Sequence, residues 1–334
     1  MKRSTLTDIS KQTGYSISTI SRALNGKSKD YRISQEAVEK IIKVAENLKF
    51  KSDFRAQNLC KHNTHTIGLL VPHIENPFFA EIAKTMIHEA QKSGYIIIVI
   101  DTMDKAEIEK RALESLLVRN VDGIIIVPTT NDPLFLEEVS LKIPIVLADR
   151  YFEQTPLPYI STDNYQGAYT ATNLLLNAKH HRILCIQGNR NSITNKERIH
   201  GFMDAMHISG YDSEAMIRGN DFSARNGYIE TKLALKDIRP TAIFTLSSTI
   251  LLGTLKALNE YKLNIPKDIS VVSFDNNSYM DYLSPSITSI AQPVEQMGIR
   301  AFDMIIKMIS GKKIIHPNIL LRPSIVKRDS IRTI

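Results

Sequence analysis

The chain is short of the features that mark several large protein classes. It has only two cysteines, Cys60 and Cys185, far apart and without metal-ligand spacing, so neither a disulfide framework nor a zinc site is expected. No apolar run approaches the roughly 20 residues that a membrane-crossing helix requires. Met1-Lys2-Arg3 is not followed by an apolar segment, so no signal peptide is expected and the cytoplasm is the expected setting. A Gly-rich phosphate loop, a nucleophile elbow and a His-Glu-x-x-His pair are all missing, which removes the commonest signs of nucleotide, serine-hydrolase and zinc-protease chemistry. No cofactor and no metal are expected. His180-His181 stands alone before a β run and reads as surface.

What is present is a charge imbalance confined to one end. Residues 1–62 hold 13 Lys/Arg against 6 Asp/Glu, while the rest of the 334-residue chain balances at 29 of each. A basic head on a neutral body suggests a small polyanion-binding module carried by a domain that binds something else. The head also has a pattern. Thr5 followed by Asp8 fits a helix N-cap with an acid in the first turn. Gly14 suits a tight turn at positive φ, and Ser16 caps a second helix whose Ile20 and Leu24 face inward. Asn25-Gly26 closes that helix. Ser34 starts a third, with an apolar stripe of Val38, Ile41, Ile42, Ala45 and Leu48. Three short helices around one small core, the second with a polar outer face, is the helix-turn-helix plan.

The string from Thr5 to Gly26 resembles the N-terminus of the lactose repressor/galactose repressor (LacI/GalR) family of bacterial transcription regulators, and the likeness continues down nearly the whole chain. The resemblance implies that the helix from Ser16 to Leu24 enters the major groove of double-stranded operator DNA. Ile17 and Ser18 would then face base edges, Ile17 through apolar contact with a thymine methyl. Arg22 and Asn25 fall at family DNA-contacting positions, and Thr5, Ser16, Thr19 and Ser21 are candidates for phosphate oxygens. Residues 51–63 resemble the family's hinge helix, with Leu59 as the wedge into the minor groove. Ser52-Asp53 stands where the family usually has Pro-Asn.

From residue 64 onward, β runs alternate with helical patterns about 12–17 residues long, the signature of parallel sheets covered on both faces. The runs are expected at 66–71, 95–101, 122–127, 145–149, 182–187, 241–246, 269–275 and 287–292, and the unbroken apolar stretches at 96–100 and 124–127 suit strands buried on both sides. About 270 residues exceed one comfortable core, so two lobes are expected. The full expectation is an all-α helix-turn-helix head (1–50), a hinge (51–63) and a two-lobed α/β body (64–334) like the periplasmic binding proteins, built on two doubly wound parallel sheets. The family likeness puts the crossovers near Asp163, Gln292 and Leu321. The N-lobe is then about 64–163 with 293–321, and the C-lobe about 164–292 with 322–334.

Ligands of open α/β sheets bind beyond the carboxyl ends of the strands. The residues standing there are Asn76, Phe78, Phe79, Asp149, Arg150, Arg198, Phe222, Ser247, Asp275 and Gln292. The same series is similar to the pocket of ribose-type sugar-binding proteins. Flat aromatic faces suit a sugar ring, and Asp, Asn, Gln and Arg each address neighbouring hydroxyls. Ser247-Ser248 replaces the family's usual Asn-Asp. With Arg150 and Arg198 nearby, that makes a sugar acid or phosphate as good an expectation as a neutral sugar. The function that follows is a homodimeric, sequence-specific repressor of carbohydrate-utilisation genes, bound to a pseudo-palindromic site and released by a sugar-type effector. Two alternatives stand beside it: control of the same DNA binding by a protein corepressor, and a sugar-processing enzyme using Asp149 and Asp275 as an acid/base pair.

Overall fold

The computed structural model describes residues 5–24, 28, 30–48 and 63–334. They form two compact units, one ending at Asn63 and the other running from Thr64 to Ile334. Asn25 and Leu59 lie outside the described residues, as does nearly all of the expected hinge.

In the first unit, α1 (Leu6–Thr13), α2 (Ile17–Leu24) and α3 (Gln35–Asn47) enclose a core of Ile9, Ile20, Ala23, Ile41 and Ala45. Thr5 and Asp8 form a reciprocal capping box, satisfying two amides that the first turn of a helix leaves free. Gly14 follows α1 at φ 80, a left-handed conformation that glycine adopts without steric penalty. Ser16 Oγ accepts from the Thr19 amide at 3.1 Å, opening α2. The expected stripe on α3 needs one correction. Ala37, Ile41 and Ala45 repeat every four residues on the buried face, but Ile42 sits about 100° further round and is 41% exposed.

In the second unit, β1 (Thr66–Val71), α4 (Pro77–Lys92), β2 (Ile96–Asp101), α5 (Ala106–Val118), β3 (Gly123–Ile126), α6 (Leu134–Ser140), β4 (Ile145–Ala148) and β5 (Tyr159–Thr162) build one lobe. The chain then forms the other with α7 (Asn164–Asn177), β6 (Ile183–Ile186), α8 (Ile193–Ile208), β7 (Ala215–Arg218), α9 (Ala224–Asp237), β8 (Ala242–Thr245), α10 (Ser248–Glu260), β9 (Ser270–Phe274) and β10 (Thr288–Ala291). It returns through α11 (Val294–Ile309) and β11 (Asn318–Leu321) to the first sheet and ends with β12 (Ser324–Val326) in the second. The sheets run β11-β5-β4-β3-β1-β2 and β12-β10-β9-β8-β6-β7. All pairings are parallel except β12 with β10, so the second sheet is parallel with one antiparallel edge. Central strands such as β3, β4 and β9 are buried residue for residue, which explains their unbroken apolar sequences. β2 departs from that expectation. It is an edge strand, half-buried, with Ile96 68% exposed.

All eight expected runs are strands, a residue or two shorter in most cases. Four further strands, β5, β7, β11 and β12, were not expected. Each has only three or four residues, too short a run for its pattern to stand out. His180 also corrects the surface reading. It is fully buried, its ring nitrogens 3.1 Å from Thr241 Oγ1 and 2.9 Å from the Arg332 carbonyl oxygen.

Candidate functional site

The ten residues singled out in the body line one cavity of about 520 Å³ between the two lobes. Their placement follows from the topology: the carboxyl ends of both sheets face each other across it. From the first lobe, Asn76 N-caps α4, its Oδ1 accepting the Phe78 amide at 3.1 Å. Phe78 and Phe79 then pack edge to face at 5.0 Å and belong to the core as much as to the cavity wall. Asp149 directly follows β4, at φ 62. Its backbone is anchored by Ile160 and Ser161, but its buried Oδ1 has no partner among the described residues. Burial pushes its carboxyl up to about 6, although Arg198 and Arg150 pull it down. Arg150 donates to Asp104 Oδ1 at 2.5 Å and to the Pro128 carbonyl.

From the second lobe, Asp275 follows β9 at φ 70, with both carboxylate oxygens hydrogen-bonded. Oδ2 accepts from the Ser248 amide at 3.1 Å, and Oδ1 from Gln292 Nε2 at 2.6 Å. Gln292 in turn accepts from Thr162 of the first lobe at 2.7 Å, so one hydrogen-bonded chain spans the lobe boundary. Arg198 lies in the second turn of α8. Asn164 Oδ1 and the Leu246 carbonyl accept from it at 2.7 and 2.6 Å, and its guanidinium lies 3.7 Å over the Phe274 ring. Burial lowers its pKa, while Asp275 and Asp149 oppose that shift. Gly201 makes this possible: a Cβ there would meet Tyr165 O at 2.2 Å, so only glycine lets α8 come close enough to α7 for Arg198 to reach Asn164. Phe222 likewise occupies the space beside Gly188, where a Cβ would lie 2.2 Å from its ring. Ser247 caps α10 through the Ile250 amide at 3.2 Å.

Sequence reasoning missed Asp104, Asn189 and Thr194 in the cavity wall, and Asn164 behind it. Asp104 follows the end of β2, so the strand-end rule that found the others could have found it. Nothing local marks Asn164.

The head presents a second surface. On α2, Ile17, Ser18 and Arg22 are exposed, while Thr19 and Ser21 are half-buried. The Arg22 guanidinium lies 3.9 Å over the ring of Tyr31, a residue the sequence did not flag, which holds it at the surface. Thr5 and Ser16 serve as caps, and the Ser16 hydroxyl also lies 2.8 Å from those of Ser18 and Thr19.

Two family models match the chain: "Bacterial regulatory proteins, lacI family" over residues 5–53, and "Periplasmic binding proteins and sugar binding domain of LacI family" over residues 64–327. Among curated proteins, the chain is 31% identical to the ribose operon repressor of Haemophilus influenzae, and the match covers 98% of both chains. It is 30% identical to the transcriptional regulator DegA of Bacillus subtilis, again over 98% of both. Among solved structures, it is similar to the lac repressor dimer bound to operator and an anti-inducer, with TM-score 0.88 and 26% identity, covering 99% of this chain and 100% of that one.

Proposed function

Because the chain belongs to the LacI family of bacterial regulatory proteins, we propose that it is a dimeric, cytoplasmic repressor of carbohydrate-utilisation genes. Its helical head holds a pseudo-palindromic operator, and an uncharged sugar entering the body's cleft releases it. It is a DNA-binding transcription regulator, not an enzyme, so Asp149 and Asp275 bind rather than react. Among the described residues, no helix is long and apolar enough to cross a membrane.

One observation carries the effector reading: Asp149 lines the cavity, and its buried Oδ1 has no hydrogen-bond partner among the described residues. A buried acceptor without a partner is costly, and a ligand that supplies an O–H removes the cost. Charge points the same way. The cavity is lined by the carboxylates of Glu75, Asp104, Asp149, Asp221 and Asp275, against the guanidiniums of Arg150 and Arg198 alone. Both guanidiniums are already engaged by the chain. A polyol suits that balance and an anion does not. Ser247-Ser248 therefore reads as a cap and a holder of Asp275 rather than as room for a negative charge.

On the DNA side, Ile17, Ser18 and Arg22 form the exposed face of α2 that would read base edges, with Arg22 presented by Tyr31. Arg22→Ala is expected to lower the preference for operator over random duplex by at least about tenfold. Fluorescence anisotropy would measure this, and the melting shift caused by effector should be kept. Unchanged operator preference in Arg22→Ala would remove α2 from recognition.

A further inference from the structure

An arginine fork at the end of a sheet is a natural seat for a carboxylate or phosphate. Arg150 is such a fork, yet its charge is met before any ligand arrives. One terminal nitrogen donates to Asp104 Oδ1 at 2.5 Å, with the two side chains only 11% and 26% exposed. The loop after β2 is shaped to deliver that carboxylate. Met103 and Asp104 both take left-handed backbone, at φ 52 and 51. Asp101 holds the turn by accepting from the Met103 amide at 2.7 Å and the Ile74 amide at 3.0 Å. The Asp104 amide donates to the Pro72 carbonyl at 3.0 Å. Consecutive non-glycine residues in this region are uncommon, and they concentrate where surrounding structure enforces a functional geometry. Among the described residues, Arg150 is the one hydrogen-bond partner of the Asp104 side chain.

We propose that Asp104 sets the charge selectivity of the effector cleft: by neutralising Arg150, it turns a site fit for a sugar acid into one that takes the uncharged sugar. This role presupposes the sugar-binding cleft proposed above. Asp104 acts through Arg150 as a positioning residue, so its signature is a change in the ratio of two affinities rather than a uniform loss.

The experiment uses full-length wild type, D104N and D104N/R150Q, with titration calorimetry against common aldopentoses and aldohexoses, each paired with its aldonate. Wild type is expected to bind an aldose at least about tenfold more tightly than its aldonate. D104N should shift that ratio toward the aldonate by about tenfold to a hundredfold, the size expected for removing one charge a few ångströms from a partly shielded site. R150Q in the D104N background should erase the shift, which a merely structural ion pair would not require. Operator affinity without ligand checks that each variant is folded, and D104S carries the same test if D104N is not. A wild type that binds an aldose, with D104N leaving the ratio unchanged, overturns the role of Asp104 alone. A wild type that prefers aldonates overturns both Asp104's role and the uncharged-effector reading. One that binds neither class overturns the sugar reading, and Asp104's role with it.

Discussion

Asp149 and Asp275 are the same residue in two lobes. Each follows the fourth strand in from an edge of its sheet, each is nearly buried, and each has left-handed backbone, at φ 62 and 70. Their side chains differ completely. Asp275 accepts from Ser248 and Gln292 before any ligand arrives, whereas Asp149 keeps a buried oxygen with no partner among the described residues. One lobe therefore offers a finished, rigid wall, and the other offers an unmet acceptor. A ligand hydroxyl that satisfies Asp149 while contacting the Asp275 wall gains most when the lobes are together, which is how binding free energy can favour one arrangement of a hinged protein.

The comparison is sharpest if the two aspartates are removed in turn. Asp275→Ala should have the largest effect. It strands Gln292 Nε2 and the Ser248 amide and removes one of the two carboxylates that offset the burial of Arg198. A loss of about 3 kcal/mol in urea unfolding is expected, with no measurable response to effector. Asp149→Asn should separate the two properties. Effector affinity should fall about tenfold or more by calorimetry, because a charged acceptor is lost. Stability near pH 8 should instead rise, by up to about 3 kcal/mol, because the folded protein no longer holds an ionised, buried carboxylate. Equal losses of stability in the two variants would break the contrast.

The same buried carboxylate also sets a pH dependence. Asp149 is raised by burial from the usual 3.8 to about 6, so the native state keeps this proton where the unfolded chain has released it. Stability contributed at this site is thus greatest below about pH 4 and declines as pH rises to about 6. Thermal melts of wild type and Asp149→Asn should coincide below about pH 4, separate as pH rises to about 6, and keep a constant gap above that. Effector affinity of wild type should run the other way, strengthening from about pH 5 to 7 as the acceptor ionises.

Much of this arrangement was legible in the sequence because it is local or periodic. The capping box at Thr5, the turn at Gly14 and the apolar central strands each need only neighbouring residues to be recognised. The cavity residues were found because a parallel sheet presents its strand ends on one side, so Asp149 and Asp275 could be placed before any distance was known. What stayed hidden depends on partners far along the chain. Asn164 holds Arg198 across 34 positions, Thr162 holds Gln292 across 130, and buried His180 reaches a carbonyl 152 positions away. No composition or spacing announces such pairs. The polar residues at Asn76 and Ser247 were read as ligands when each also caps the helix it begins, a double use that residue type alone cannot separate.

The most direct measurement is the dissociation constant of one sugar effector, taken by calorimetry with and without saturating operator DNA. If the cleft and the head are coupled as proposed, operator should weaken effector binding by the same factor by which effector weakens operator binding, about 5- to 150-fold for typical coupling. Identical effector affinity in both samples would contradict the account.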